Sequence, residues 1–208
     1  MPIQLQLLHV PRVSWPQRLA GFGRVLAVML LLAFAAPLPR ASADERPGRD
    51  AQTSALMQLL RAPHPKVDGP ALARLGADVP AILIELATAV GGEIAIRQRA
   101  LAWLQYFPNG SSRAVLMEAL RARGASVGTV RVVLRALAVG FGVEALAVLS
   151  EHLLHKNVYI REAAAYALGD LDDRRVPDIL EDQLEREDEL AVRDAIEASL
   201  HRIAKRRH

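Results

Sequence analysis

Residues 158–185 read VYIREAAAYALGDLDDRRVPDILEDQLE, and residues 190–203 read LAVRDAIEASLHRI. Ile160-Arg161 and Val192-Arg193 each open an apolar helical run, and the two runs superpose at a shift of 32 residues. Under that shift Ala163 falls on Ala195, Leu168 on Leu200 and Leu171 on Ile203. Self-similarity at one fixed period marks a stack of repeated units, because a single short unit cannot bury its own apolar face.

The pattern continues upstream. Ile96-Arg97 opens IRQRALAWLQYF at a shift of 64 from Arg161, two periods away. Between them Val130-Arg131 opens VRVVLRALAVG, with Leu137 in register to within a residue. Leu104, Leu137, Leu168 and Leu200 are 33, 31 and 32 residues apart and are expected to be buried, one per repeat. Each run follows another amphipathic segment, at 79–89, 111–124, 142–156 and 175–187. In the last of these, Val176, Ile179, Leu180 and Leu184 share one helical face. Pro108-Asn109-Gly110 and Asp172-Asp173 punctuate the segments, and Ser111 and Ser112 are placed to cap the helix that follows. A degenerate first unit covers 53–77, interrupted by Pro63, Pro65 and Pro70.

Composition agrees with helices. Of the 208 residues 51% are hydrophobic but only 4% aromatic, so Ala, Val and Leu dominate, and these suit helices better than sheets. Charged residues make up 24%, which is ordinary for a globular chain and excludes a disordered or collagen-like one. The chain has no cysteine, which removes disulfides, thiolate metal sites and cysteine nucleophiles.

The N-terminus reads as a targeting segment. Arg12, Arg18 and Arg24 precede the apolar run VLAVMLLLAFAA at 25–36, which Pro37 and Pro39 break, and Ala41-Ser42-Ala43 follows as a small-x-small cleavage site. The uncharged stretch 25–38 is 14 residues, shorter than the roughly 20 that a membrane span requires. A signal peptide over 1–43, a flexible leader over 44–52 and a repeat domain over 53–208 are expected, with a periplasmic or secreted product. Arg12, Arg18, Arg24 and Arg40 leave with the signal, so the 26 basic residues fall to 22 against 23 acidic ones. The formal charge of +3 is thereby lost, and with it the basic excess that nucleic-acid binding needs. No membrane association is expected after cleavage.

The residues quoted above carry a family resemblance. The stretch 158–185, with its apolar-Arg opening, small residues, Ala-Leu-Gly end, Asp-rich turn and Pro near the start of the next helix, resembles a HEAT-like repeat of the phycobilisome-lyase type. The resemblance implies an all-α, right-handed solenoid of about four to five helix pairs. In the related deoxyhypusine hydroxylases, His-Glu pairs at the start of the second helices bind iron. The matching places here read Arg97-Gln98, Arg131-Val132, Arg161-Glu162 and Arg193-Asp194, so that activity is not implied.

Candidate site residues follow from the repeat. Arg97, Arg131, Arg161 and Arg193 recur at the start of the second helices. They read either as a ladder of cations along a groove or as partners of carboxylates in the adjacent repeat. Glu162 and Tyr166 are four apart on one face, and Tyr166 stands where Ala102 and Ala198 stand in the matched units, so packing does not demand an aromatic there. A partly exposed tyrosine is a favoured interface anchor. His152 and His155, beside Glu151, have metal-compatible spacing but no third ligand nearby, and Asp170, Asp172 and Asp173 read as a solvated turn. No metal and no cofactor is expected. Residues 97–135 hold seven arginines and one acid, whereas 157–200 hold 13 acids and five arginines, so the repeat is electrically polarised. The expected function is a non-catalytic exported scaffold or adaptor that binds a protein or peptide through Arg97, Arg131, Arg161, Glu162, Tyr166 and Arg193. The alternative is an accessory or modifying enzyme of the HEAT-like lyase type acting on a protein-bound cofactor.

Overall fold

The first main-chain bond of each second helix fixes the register of the repeat. In the computed structural model, which describes residues 45–207, Arg97 N–H donates to Glu93 O, Val130 N–H to Ser126 O, Arg161 N–H to Asn157 O and Arg193 N–H to Glu189 O, at 3.0–3.2 Å. The accepting residues 93, 126, 157 and 189 lie 33, 31 and 32 apart, the same intervals as the leucines. Two of these starts carry side-chain caps: Ser126 accepts from Thr129 N–H and Asn157 from Tyr159 N–H.

In chain order the helices are α1 (Glu45–Arg61), α2 (Gly69–Ala73), α3 (Val79–Thr88), α4 (Ile94–Trp103), α5 (Gly110–Arg121), α6 (Val127–Phe141), α7 (Leu146–Leu153), α8 (Val158–Gly169), α9 (Val176–Leu184) and α10 (Leu190–Arg207). Short 3₁₀ turns, Leu104–Tyr106 and Gly142–Ala145, follow α4 and α6. There is no strand among the described residues. Each first helix packs on its successor, α3 on α4, α5 on α6, α7 on α8 and α9 on α10. The second helices α4, α6, α8 and α10 also pack one on the next, and Asp44–His208 forms one compact unit.

The core runs along this stack. Leu104, Leu137 and Leu168 are fully buried, as the period demands. Leu200 is only half-buried, which corrects the expectation for that residue. On α10 the inward face is Val192, Ala195, Ile196, Ser199 and Ile203, and Leu200 falls at its margin. The Ser199 hydroxyl donates to Ala165 O at 3.0 Å, so this buried polar group is satisfied. Small residues bring the second helices close. Ala163, Ala164, Ala165 and Ala167 are all buried, and a Cβ on Gly169 would stand 2.5 Å from Ser199 Cβ. A Cβ on Gly140 would stand 2.9 Å from Gln105 Cα, backbone that cannot move aside.

The signal read at 1–43 lies outside the described residues. Residues 45–52, read as a flexible leader, belong to α1. Pro47 falls in its first turn, where a missing N–H leaves no helical bond unmade. Ser111 and Ser112 do not cap α5: Asn109 does, accepting from Ser112 N–H at 2.9 Å, and both serines lie inside the helix. The apolar stretch Val127–Leu153 is long enough to cross a membrane by composition alone. It comprises α6, a 3₁₀ turn at Gly142 (φ +53°) and α7, and it buries Val130, Val133, Leu134, Leu137, Leu149 and Leu153 in the core.

Candidate functional site

The recurrent arginines are turned inward along their own repeat. Arg97 Nη2 donates to Ala89 O at 2.7 Å, just past α3. Arg161 Nη1 donates to His155 O at 3.0 Å, just past α7. Arg193 Nη1 donates to Leu184 O at 2.8 Å and to Glu187 O at 2.9 Å, at and past the end of α9. Each guanidinium thus satisfies carbonyls where the first helix of its pair ends, the place where the macrodipole favours a cation. This corrects the reading of a cation ladder: Arg97, Arg161 and Arg193 tie first helix to second.

Arg161 does more. Its Nε and Nη2 also donate to the two oxygens of Glu187, at 2.9 and 2.8 Å. Glu187 comes from the next unit, so here the carboxylate reading holds. Its side chain is only 3% exposed, and it also accepts from Gln183 Nε2 and Glu189 N–H. The Arg161 hydrogen bond holds the Glu187 carboxyl below the ordinary glutamate range, against burial, which pushes it up. The same bond raises Arg161.

Arg131 is the exception. Counting from the accepting residue of each helix start, Arg97, Arg161 and Arg193 occupy the fourth position, and the residue there in α6 is the buried Val130. Arg131 is one place later, in the position of Gln98, Glu162 and Asp194. It is exposed, and no ion pair among the described residues includes it.

Positions five and nine of the second helices therefore form two rows along the stack. Position five reads Gln98, Arg131, Glu162, Asp194, and position nine reads Ala102, Arg135, Tyr166, Ala198. Arg131, Arg135, Tyr166, Asp194 and Ala198 are exposed, whereas Gln98, Ala102 and Glu162 are half-buried. Neighbouring helices touch beside these rows. Gln98 Nε2 donates to Thr129 Oγ1 on α6 at 3.2 Å, and the Arg202 guanidinium of α10 lies 5.5 Å from the Tyr166 ring centroid. At position five the face is basic on α6 and acidic on α8 and α10, and Arg202 of α10 adds a cation beside Tyr166. Of the six residues expected to bind a partner, the structure leaves Arg131, Glu162 and Tyr166 on this face and withdraws Arg97, Arg161 and Arg193 into the helix junctions. Tyr159, two places into α8 and 56% exposed, belongs to the face and was not singled out from the sequence. Its signal was available: the matched places are Ala95, Gly128 and Ala191.

The remaining candidates are committed elsewhere. The His152 and His155 rings stack at 6.3 Å, with His152 Nδ1 on Val148 O and His155 Nδ1 accepting from Asn157 N–H. Asp173 accepts from Arg175 Nε, Nη2 and N–H, which hold its carboxyl well below the usual range. Asp170 faces Arg202 at 3.8 Å. No group of three metal-capable side chains occurs among the described residues. A groove of about 520 Å³ opens between the α3–α4 and α5–α6 turns, with Val90 and Ile94 on its rim and Arg97 in its wall.

Residues 129–201, which run from within α6 through α7, α8 and α9 into α10, match the family model for HEAT repeats. The match supports a HEAT-repeat protein, and repeats of this kind typically mediate protein–protein interaction. No curated protein matches the chain.

Proposed function

We propose that this chain is an exported, non-catalytic HEAT-repeat scaffold that binds a protein or peptide on the outward face of its second helices. The stack is read as a right-handed solenoid of four to five pairs, delivered to the periplasm or the medium by the segment 1–43. The observation that carries the binding role is the unpaired state of Arg131 beside Glu162. Opposite charges in the same position of adjacent helices make no ion pair with each other, and an exposed tyrosine stands one turn away.

Affinity capture from an envelope fraction tests this, using wild type and Arg131→Glu as parallel baits. A partner retained by wild type and lost from Arg131→Glu at an unchanged unfolding midpoint supports the reading. Equal capture by both baits moves the binding site off this face. N-terminal sequencing of exported protein should begin Asp-Glu-Arg-Pro, the residues after Ala43.

A further inference from the structure

Tyr159, Glu162 and Tyr166 fall at i, i+3 and i+7 of α8, so all three project from one face. Seven residues of helix rise about 10 Å, which sets the two rings on either side of the carboxylate with room for one side chain between them. Tyr159 stands above its surroundings, because the matching residues on the flanking helices are Gly128 and Ala191; beside Tyr166 the matching residues are Arg135 on α6 and Ala198 on α10. Tyr159 and Tyr166 are 56% and 38% exposed. The molecule already uses one of these rings for a cation, since Arg202 lies over Tyr166. A carboxylate set between two exposed tyrosines along one helix face is matched to a guanidinium or ammonium group, which gains an ion pair and aromatic contact.

A lone cation is disfavoured there, because Arg131 and Arg135 stand on the neighbouring α6 in the positions of Glu162 and Tyr166. Packed helices lie about 8–10 Å apart, and an extended polyproline-II chain, with about three residues per turn and a rise of about 3.1 Å each, brings a side chain back to the same face over that distance in about three residues. Resting on the binding role proposed above, we infer that the face takes an extended peptide segment of mixed charge. Its basic side chain enters between Tyr159 and Tyr166 onto Glu162. An acidic side chain about three residues along reaches Arg131 and Arg135. A segment with two basic groups at that spacing meets repulsion at α6, and one with two acidic groups meets it at α8.

The test is selection of a randomised twelve-residue peptide display library on the immobilised full chain, run beside the Arg131→Glu/Arg135→Glu double variant. Wild type should enrich a basic residue followed or preceded, about three places away, by an acidic one. The double variant should switch the enrichment to two basic residues. Fluorescence anisotropy on a selected peptide should then show about a tenfold loss of affinity for Tyr159→Ala/Tyr166→Ala and for Glu162→Gln. It should also show weakening between low and moderate salt. Circular dichroism melts of each variant verify that the fold is kept. If both baits enrich the same peptides, or the selected peptides bind the tyrosine and Glu162 variants unchanged, the mixed-charge inference falls while a binding role elsewhere on the chain survives. If nothing is enriched over bare matrix, the peptide-binding reading falls with it.

Discussion

Helices α6 and α8 are neighbours, carry an arginine near their start and bury a leucine at the same depth, yet the two arginines do opposite things. Arg161 satisfies the carbonyls past α7 and chelates Glu187 of the following unit. Arg131 stands in solvent with its charge unspent. The difference is one residue of register. Helices advance by 100° per residue, so a side chain one place later leaves the seam between helices and joins the outward face. In a stack of near-identical units, the identity of a residue matters less than its count from the helix start. A slip of one residue in unit length can thereby move a cation from the seam between helices to the outward face.

The cores of the two units should behave alike. Leu168→Ala and Leu137→Ala each remove a fully buried side chain, and each should lower stability by about 2–5 kcal/mol in denaturant unfolding. A large gap between them would mean that the α6 unit is built differently throughout, not only at its arginine. Leu200→Ala, at a half-buried site, should cost about 1–2 kcal/mol.

Acid sharpens the contrast. Glu187 has a lowered folded-state pKa, so its contribution is present above the ordinary glutamate value of 4.5 and is lost as pH falls below it through the folded value. The stability gap between wild type and Glu187→Gln should be widest at neutral pH and should close in acid. A gap that does not change with pH would remove the Arg161–Glu187 pair as its source. At the outward face, by contrast, Tyr166→Ala should shift stability by no more than about 0.5 kcal/mol. A loss above about 2 kcal/mol would make the ring part of the packing between α8 and α10 and count against the binding role proposed for it.

The helical repeat was legible because its signal is redundant. Leucine spacing, first-helix segments and turn residues all report one period, and an error in any one is outvoted. The arginine row was not legible for the opposite reason. Arg97, Arg131, Arg161 and Arg193 are 34, 30 and 32 apart, whereas the leucines are 33, 31 and 32 apart. That single-residue mismatch was the only trace of the slip, and no amphipathic pattern exists to settle it at a polar position. The role of the other three could not be read either, because carbonyls at helix ends accept without leaving any mark on the sequence. Glu187 hides among the acids of 157–200, most of which are solvated, and only folding shows it to be buried. Tyr159 and Tyr166 were within reach, since each replaces a small residue of the matched units.

Equilibrium unfolding of Arg131→Ala beside Arg161→Ala tests the central claim most directly. Removing Arg161 leaves Glu187 buried and uncompensated, and should cost about 3 kcal/mol. Removing Arg131 should leave stability within about 0.5 kcal/mol of wild type. Two variants destabilised to a similar extent would contradict the account, since they would place both arginines in the same structural role.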